Sequence, residues 1–225
     1  MSSRERILGR LRAAQPPAAE RAAPPREPDR SIYRDYPARA EDYVAVFAER
    51  FAALRGEFLR AAGLAEAAAR VAGLLAELEA SEACGAARGL AAADPLIAAV
   101  LAASPALAAR FDPPERLGMA NAEMLPCLAG LTRARALVAR SGGIVLDSGR
   151  DGGRRLSVFP PLHIVLARAG DYVASLEEAL ARRAGDADWS SLTIVHGPSR
   201  TADIEKTLVL GAHGPKRLAV IHVEA

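Results

Sequence analysis

The sequence predicts an α/β fold built on a mainly parallel, helix-covered sheet, and three observations predict it. Short apolar runs rich in Val, Ile and Leu recur through the second half of the chain, at 144–146, 163–166, 192–195 and 218–223. Helix-periodic segments precede or separate them, and strand–helix alternation marks parallel strands joined by crossover helices. The chain has 225 residues, enough for one large domain that buries roughly 70–75% of its unfolded surface.

Residues 4–14 place Ile7, Leu8 and Leu11 on one face among Arg4, Arg6, Arg10 and Arg12, a helix too short to stand without a partner surface. From Gln15 to Pro37 the chain carries Pro16, Pro17, Pro24, Pro25, Pro28 and Pro37. Each removes an amide donor, so an extended arm is expected. The expected organisation is therefore an N-terminal helix and Pro-rich arm over 1–37, then an α/β body over 38–225 that is helical over 38–118 and sheet-rich over 130–225.

Within the body, Tyr43, Phe47, Phe51, Leu54 and Phe58 fall on one stripe, and that spacing predicts a helix from Glu41 to Ala62. A second helix follows from Leu64 to about Ala80, with Val71, Leu74, Leu75 and Leu78 inward. Asp94-Pro95 and Ser104-Pro105 read as caps of short helices. Strands are expected at 136–138, 144–146, 156–159 and 163–166, separated by Ser141-Gly142-Gly143 and Pro160-Pro161. A helix over 173–183 turns Val173, Leu176 and Leu180 inward, 192–195 is a buried strand, a short helix follows Thr201, and 218–223 is the final strand.

Composition excludes several functions. The hydrophobic share of 51% is largely Ala, so the core rests on Leu, Val and Ile. Aromatics at 4% leave few platforms for stacked bases, and 29 basic against 27 acidic residues form no long block of one sign. No nucleic-acid partner is expected. Cys84 and Cys127 lie far apart without a Cys-x-x-Cys pair, so the chain alone cannot complete an iron–sulfur cluster or a structural zinc site. No Gly-x-Gly-x-x-Gly follows a strand, and no cofactor is expected. Apolar runs fall short of the ~18 residues that a membrane span needs, and the charged segment 1–6 is unlike a secretion signal. A cytoplasmic protein without membrane insertion is expected.

The segment richest in chemistry is Gly197-Pro198-Ser199-Arg200-Thr201-Ala202-Asp203-Ile204-Glu205. It leaves a strand and is expected to open a helix, where free amides and the positive dipole end favour a small anionic ligand. Ser199 or Thr201 serves equally as a simple cap there. Gly211-Ala212-His213-Gly214-Pro215 forms a second tight segment, whose His213 is a candidate acid, base or ligand. Ser141-Gly142-Gly143 can cradle an anion through its amides or close a hairpin. His163, His196 and His222 fit no zinc spacing and read as structural.

From about Gly130 onward, the blocks Gly130-Leu131-Thr132-Arg133-Ala134, Ser141 to Leu146, Pro161-Leu162-His163-Ile164, Gly197 to Glu205 and Gly211 to Pro215 resemble the LUD domain family of the lactate-utilisation protein C type. The resemblance implies a three-layer α/β/α fold similar to the sugar-phosphate isomerase and CoA-transferase class. It also implies a part in oxidising L-lactate to pyruvate beside iron–sulfur partner proteins. Where family members usually carry an acidic residue and Thr-Gly-Thr, this chain has Arg140 and Ser141-Gly142-Gly143, and an Asp common shortly after the Thr132 position is missing.

The leading expectation is an accessory or ligand-binding subunit in which Ser141, Gly142, Gly143, Gly197, Pro198, Ser199, Thr201, Gly211 and Gly214 surround an anion at the carboxyl edge of the sheet. Asp203 would orient His213 for proton transfer. The alternatives are a stand-alone enzyme acting on an acyl-CoA or a phosphorylated small molecule, with Asp203 or Glu205 as nucleophile, and a non-catalytic interaction protein.

Overall fold

A computed structural model describes residues 3–14, 42–82, 87–112, 127–148, 154–182, 191–202, 208–210 and 214–224. The chain forms two compact units, Met1–Tyr36 and Pro37–Ala225. In the first, α1 spans Ser3–Ala14 as its periodicity predicts, with Glu5 in the first turn and Arg12 in the last, both favourable to the helix dipole.

The second unit opens with α2, Tyr43–Ala53, which buries Phe47 and Phe51. The helix does not continue to Ala62 as its apolar spacing predicts; residues 57–61 are instead strand β1, Glu57–Ala61. Arg55 adopts a left-handed φ of 66°, its N–H donates to the Ala52 carbonyl and that of Gly56 to the Phe51 carbonyl, both at 2.9 Å. This pair of bonds is a Schellman stop. Phe58 continues the helical stripe in sequence only.

Helix α3, Leu64–Glu82, turns Val71, Leu74, Leu75 and Leu78 into the core as expected. Then come β2, Arg88–Ala91, and two short helices, α4, Pro95–Ala102, and α5, Pro105–Ala108. Asp94 Oδ1 accepts from Leu96 N at 2.8 Å and Ser104 Oγ from Leu107 N at 3.3 Å, the two caps that the sequence indicates. Strand β3, Phe111–Asp112, precedes β4, Cys127–Arg133. Next are β5, Ala136–Val138, and β6, Gly143–Asp147, joined as an antiparallel hairpin.

The expected strand over 156–159 is instead α6, Arg154–Val158. The strand following it, β7 or Leu162–Ala167, already has a parallel neighbour on each side. Residues 156–159 therefore cannot pair with the strand that follows them, and Phe159 N–H bonds the Arg155 carbonyl in a helical turn. Residues 172–173 form strand β8, Tyr172–Val173, so the helix expected from 173 starts later, as α7, Leu176–Ala181. Leu180 points outward, 47% exposed, and Ala179 takes the buried position. The remaining strands are β9, Leu192–Val195, β10, Arg200–Ala202, β11, Leu208–Leu210, and β12, Arg217–Val223.

A six-stranded sheet runs in the order β1-β12-β7-β4-β2-β3, every pairing parallel. Helices flank it, as the predicted α/β class requires. One face packs Leu90, Leu131, Ile164 and Ile221 under α3 and α4. The other packs Val165 and Val220 against Phe47 and Phe51 of α2 and against Leu137 and Ile144 of a smaller sheet, ordered β8-β5-β6-β9. Strand β9 lies at the edge of that sheet, antiparallel to β6, and Ile194 is 38% exposed. The expected fully buried strand is thus a half-covered edge. At the amino ends of β1 and β12, Arg217 grips both oxygens of Glu57 at 2.8 and 2.7 Å and reaches Glu77 of α3 at 2.8 Å. Among the described residues no helix is long and apolar enough to cross a membrane.

Candidate functional site

The loops singled out in the sequence gather around the C-terminal end of α2. Gly142 has a φ of 67° and its missing Cβ would lie 2.9 Å from the Arg50 carbonyl carbon and the Phe51 nitrogen. Gly197, with φ 80°, approaches α2 just as closely, since a Cβ there would stand 2.4 Å from the Leu54 carbonyl oxygen. Only glycine accepts both the left-handed backbone and the contact. Two separate turns are thereby seated on one helix end.

Ser141 stands beside them. Its Oγ accepts from Gly143 N–H at 3.2 Å and lies 3.1 Å from Nε2 of His196. A Cβ on Gly143 would fall 2.7 Å from that same Nε2, so a side chain at 143 would push the imidazole off the serine. The Gly-Gly pair therefore shapes both a hairpin turn and the approach of a histidine. Pro198 is buried, and Ser199 N–H donates to the Pro215 carbonyl at 2.9 Å. A Cβ on Gly214 would lie 3.2 Å from that of Ser199. Segments 141–143, 196–199 and 214–215 thus share one region, rimmed by a hydroxyl–imidazole pair and a second serine.

Two parts of the sequence-level site are corrected. No helix begins at Thr201, because Arg200–Ala202 pairs antiparallel with Leu208–Leu210 as a β-hairpin. Residues 200–202 therefore lie in a strand ladder and not at a helix N-terminus, and the rest of the helix expected after Thr201 lies outside the described residues. The region also lies at the amino edge of the parallel sheet, since Leu54 precedes β1 and Pro215 precedes β12. The expected carboxyl edge followed from treating 192–195 as a strand of that sheet, whereas β9 belongs to the smaller one. Asp203, Glu205, Gly211 and His213 lie outside the described residues, as do Cys84 and the Pro-rich arm.

His196 is the residue that sequence reasoning set aside and the structure brings forward. Its place immediately before Gly197 was the available signal. The other two described histidines are interior. His163 Nε2 lies 2.9 Å from Thr132 Oγ1, and its Nδ1 has no hydrogen-bond partner. His222 Nδ1 lies 3.2 Å from the Tyr172 hydroxyl, with Phe58 stacked on its ring at 6.4 Å.

Burial pushes the His163 imidazole down to about 3, against about 6.5 in the unfolded chain. Between those values the unfolded state holds the extra proton, so stability is full above about pH 6.5 and falls on acidification toward pH 3, by up to about 1.4 kcal/mol per pH unit. Urea midpoints at pH 4.5 and 7.5 check this. Wild type should lose more than His163→Gln over that interval, and equal losses would show that His163 does not couple to folding.

Comparison with known proteins bears on this arrangement. The family model described as LUD domain matches residues 44–223. The chain is 38% identical over 100 residues to a protein named lactate utilization protein C from Bacillus licheniformis, covering 42% of each chain. It is 38% identical over 116 residues to a Deinococcus radiodurans protein of the same name, covering 51% of this chain and 53% of that one. The matched stretch thus spans about half the length of these relatives. A crystal structure of a DUF162 family protein from Deinococcus radiodurans superposes with a TM-score of 0.57 at 24% identity, over 83% of this chain and 99% of the other. That likeness concerns the fold.

Proposed function

The chain belongs to the LUD domain family, and from that membership we propose that it is a component of a lactate-utilising system. In this reading it works in the cytoplasm as an accessory or ligand-binding subunit, beside iron–sulfur partner proteins that take the two electrons released when L-lactate becomes pyruvate. The observation that carries the reading is the shared sequence with relatives named for lactate utilization. The loop region supports it with a small polar rim, Ser141, His196 and Ser199, on a backbone fixed by glycines. A hydroxyl and an imidazole at hydrogen-bond distance suit an anionic ligand, with the imidazole charged or donating its N–H. Asp203 and His213 of the flanking segments are proposed to complete the site.

Deleting the gene is expected to abolish growth on L-lactate and to leave growth on pyruvate intact. Wild-type protein should restore growth, whereas His196→Ala or His213→Ala, each at an unchanged unfolding midpoint, should not. Undiminished growth of the deletion strain on L-lactate as sole carbon source would overturn the reading.

A further inference from the structure

The positive charge of the chain is concentrated in α1. That helix carries Arg4, Arg6, Arg10 and Arg12 against a single carboxylate, Glu5, a surplus of three within 12 residues. The whole chain has a surplus of only two, so everything outside α1 is in sum slightly acidic. All four arginines are exposed. Such asymmetry on an amphipathic helix points to an anionic surface.

The same helix shows an apolar side chain between its charges. Ile7 is 59% exposed, more than Val158, Leu180 or Ile194. Arg6 and Arg10, one turn apart, line an open groove of ≈ 300 Å³ together with Ile7 and Ser3. Two guanidiniums thus stand beside one exposed isoleucine, and Leu8 adjoins it half-buried. A helix of this length is marginal alone in water and needs a surface to hold it. The LUD domain match begins only at residue 44, so the pattern of α1 lies outside the part of the chain that defines the family.

An acidic groove on a protein would hold a helix by apolar anchors one and two turns apart. Here the residue two turns after Ile7 is only Ala14. Charge is what α1 has in excess, and each cation near an anionic leaflet strengthens binding about fivefold, so a surplus of three gives about a hundredfold. A leaflet also offers anions along every border of the apolar stripe, whereas a groove must supply a carboxylate for each arginine.

We propose that α1 is a peripheral membrane contact that lies on an anionic phospholipid leaflet, with Ile7 at the acyl-chain boundary and Arg6 and Arg10 on the phosphates beside it. The arginine stems bury along the stripe while their heads stay among the headgroups. The helix rests on the surface and does not cross it, in keeping with the absence of a membrane-spanning helix among the described residues. Three apolar residues, Ile7, Leu8 and Leu11, are too few to anchor it without charge, so adsorption is reversible and salt-sensitive. The contact is separate from the Ser141–His196 region and does not depend on the lactate reading.

The test is sedimentation of the full chain with vesicles of phosphatidylcholine alone and of phosphatidylcholine mixed with phosphatidylglycerol. The protein should sediment with the mixed vesicles at low salt and stay in solution with the neutral ones. It should be released at about 1 M salt, where the screening length is about 3 Å. Replacing both Arg6→Gln and Arg10→Gln should weaken binding about 25-fold, and Ile7→Ser should weaken it several-fold. Replacing both Arg6→Lys and Arg10→Lys should leave it unchanged, because a leaflet reads charge and not the guanidinium fork. All these positions lie outside residues 44–223, so the unfolding midpoint of the domain should stay that of wild type. Sedimentation with neither kind of vesicle, or equally with both, would overturn the proposal. So would mixed-vesicle binding indifferent to the double Gln variant, a double Lys variant as weak as the double Gln one, or tighter binding to double-stranded DNA than to mixed vesicles at the same salt.

Discussion

Gly197→Ala is expected to destabilise the protein by roughly 2–5 kcal/mol. About 1–2 kcal/mol comes from placing an L-residue in the left-handed region, at a φ of 80°. The rest comes from overpacking, of the order of 1–3 kcal/mol, because the new methyl would stand 2.4 Å from the Leu54 carbonyl oxygen. That oxygen belongs to the backbone and has no rotamer by which to retreat. Gly73 in α3 is the control, with nothing within 4 Å of its missing Cβ, and there Ala should stabilise by up to about 1 kcal/mol through helix propensity. Urea unfolding at constant m-value reads both. A Gly197→Ala midpoint matching that of Gly73→Ala would show that the turn is not seated on α2 as described.

The second large effect lies one layer deeper. Phe51→Ala should cost roughly 3–5 kcal/mol, since the ring is fully buried and stacks on Phe47 at 5.2 Å. The loss has a partner. A Cβ on Gly56 would lie 2.3 Å from the Phe51 ring, so Gly56→Ala alone should destabilise the wild type. In the Phe51→Ala background the ring is gone and the methyl enters the vacated space, so the same change should be neutral or favourable. The cycle should show a coupling of about 1–3 kcal/mol. Additive single effects would mean that glycine at 56 answers to the helix stop alone.

The same pair of residues explains where sequence reading of the fold succeeds and where it stops. The helices α1 and α3 and strands β5, β6, β7 and β12 follow from apolar period and turn residues, because their tertiary contacts agree with their local pattern. Phe58 misleads because its spacing from Phe51 and Leu54 is helical by coincidence, and the chain reverses direction at Arg55, a residue without turn character. Leu156 to Phe159 reads as a strand because only the assembled sheet reveals that β7 already has both neighbours. Strands β2 and β4 are hidden by small residues. Gly130 must be small, since a Cβ there would lie 2.2 Å from the Leu156 carbonyl oxygen, so a sheet centre is written in residues that score poorly as strand.

The candidate site is legible to a similar degree. Its loop blocks stand out in the sequence, and Ser199 does meet the 214–215 segment. Its edge of the sheet does not, because edge depends on which sheet β9 joins. The serine–histidine approach is equally hidden, since it depends on the absence of a side chain at Gly143.

Strand β12 sits between β1 and β7, pairing Glu57 with Ala219 at one end of its contact with β1 and Ala61 with Val223 at the other. Ribosomes add about 5–20 residues per second, so β1 waits on the order of ten seconds for the strand that completes it. During synthesis, β1 and β7 each present an unpaired row of amides and carbonyls, a template on which another chain can add. Such long-range pairing slows folding. The nascent chain therefore passes through a stage whose sheet has a gap in its interior, open to such addition until β12 is made and pairs with β1 and β7.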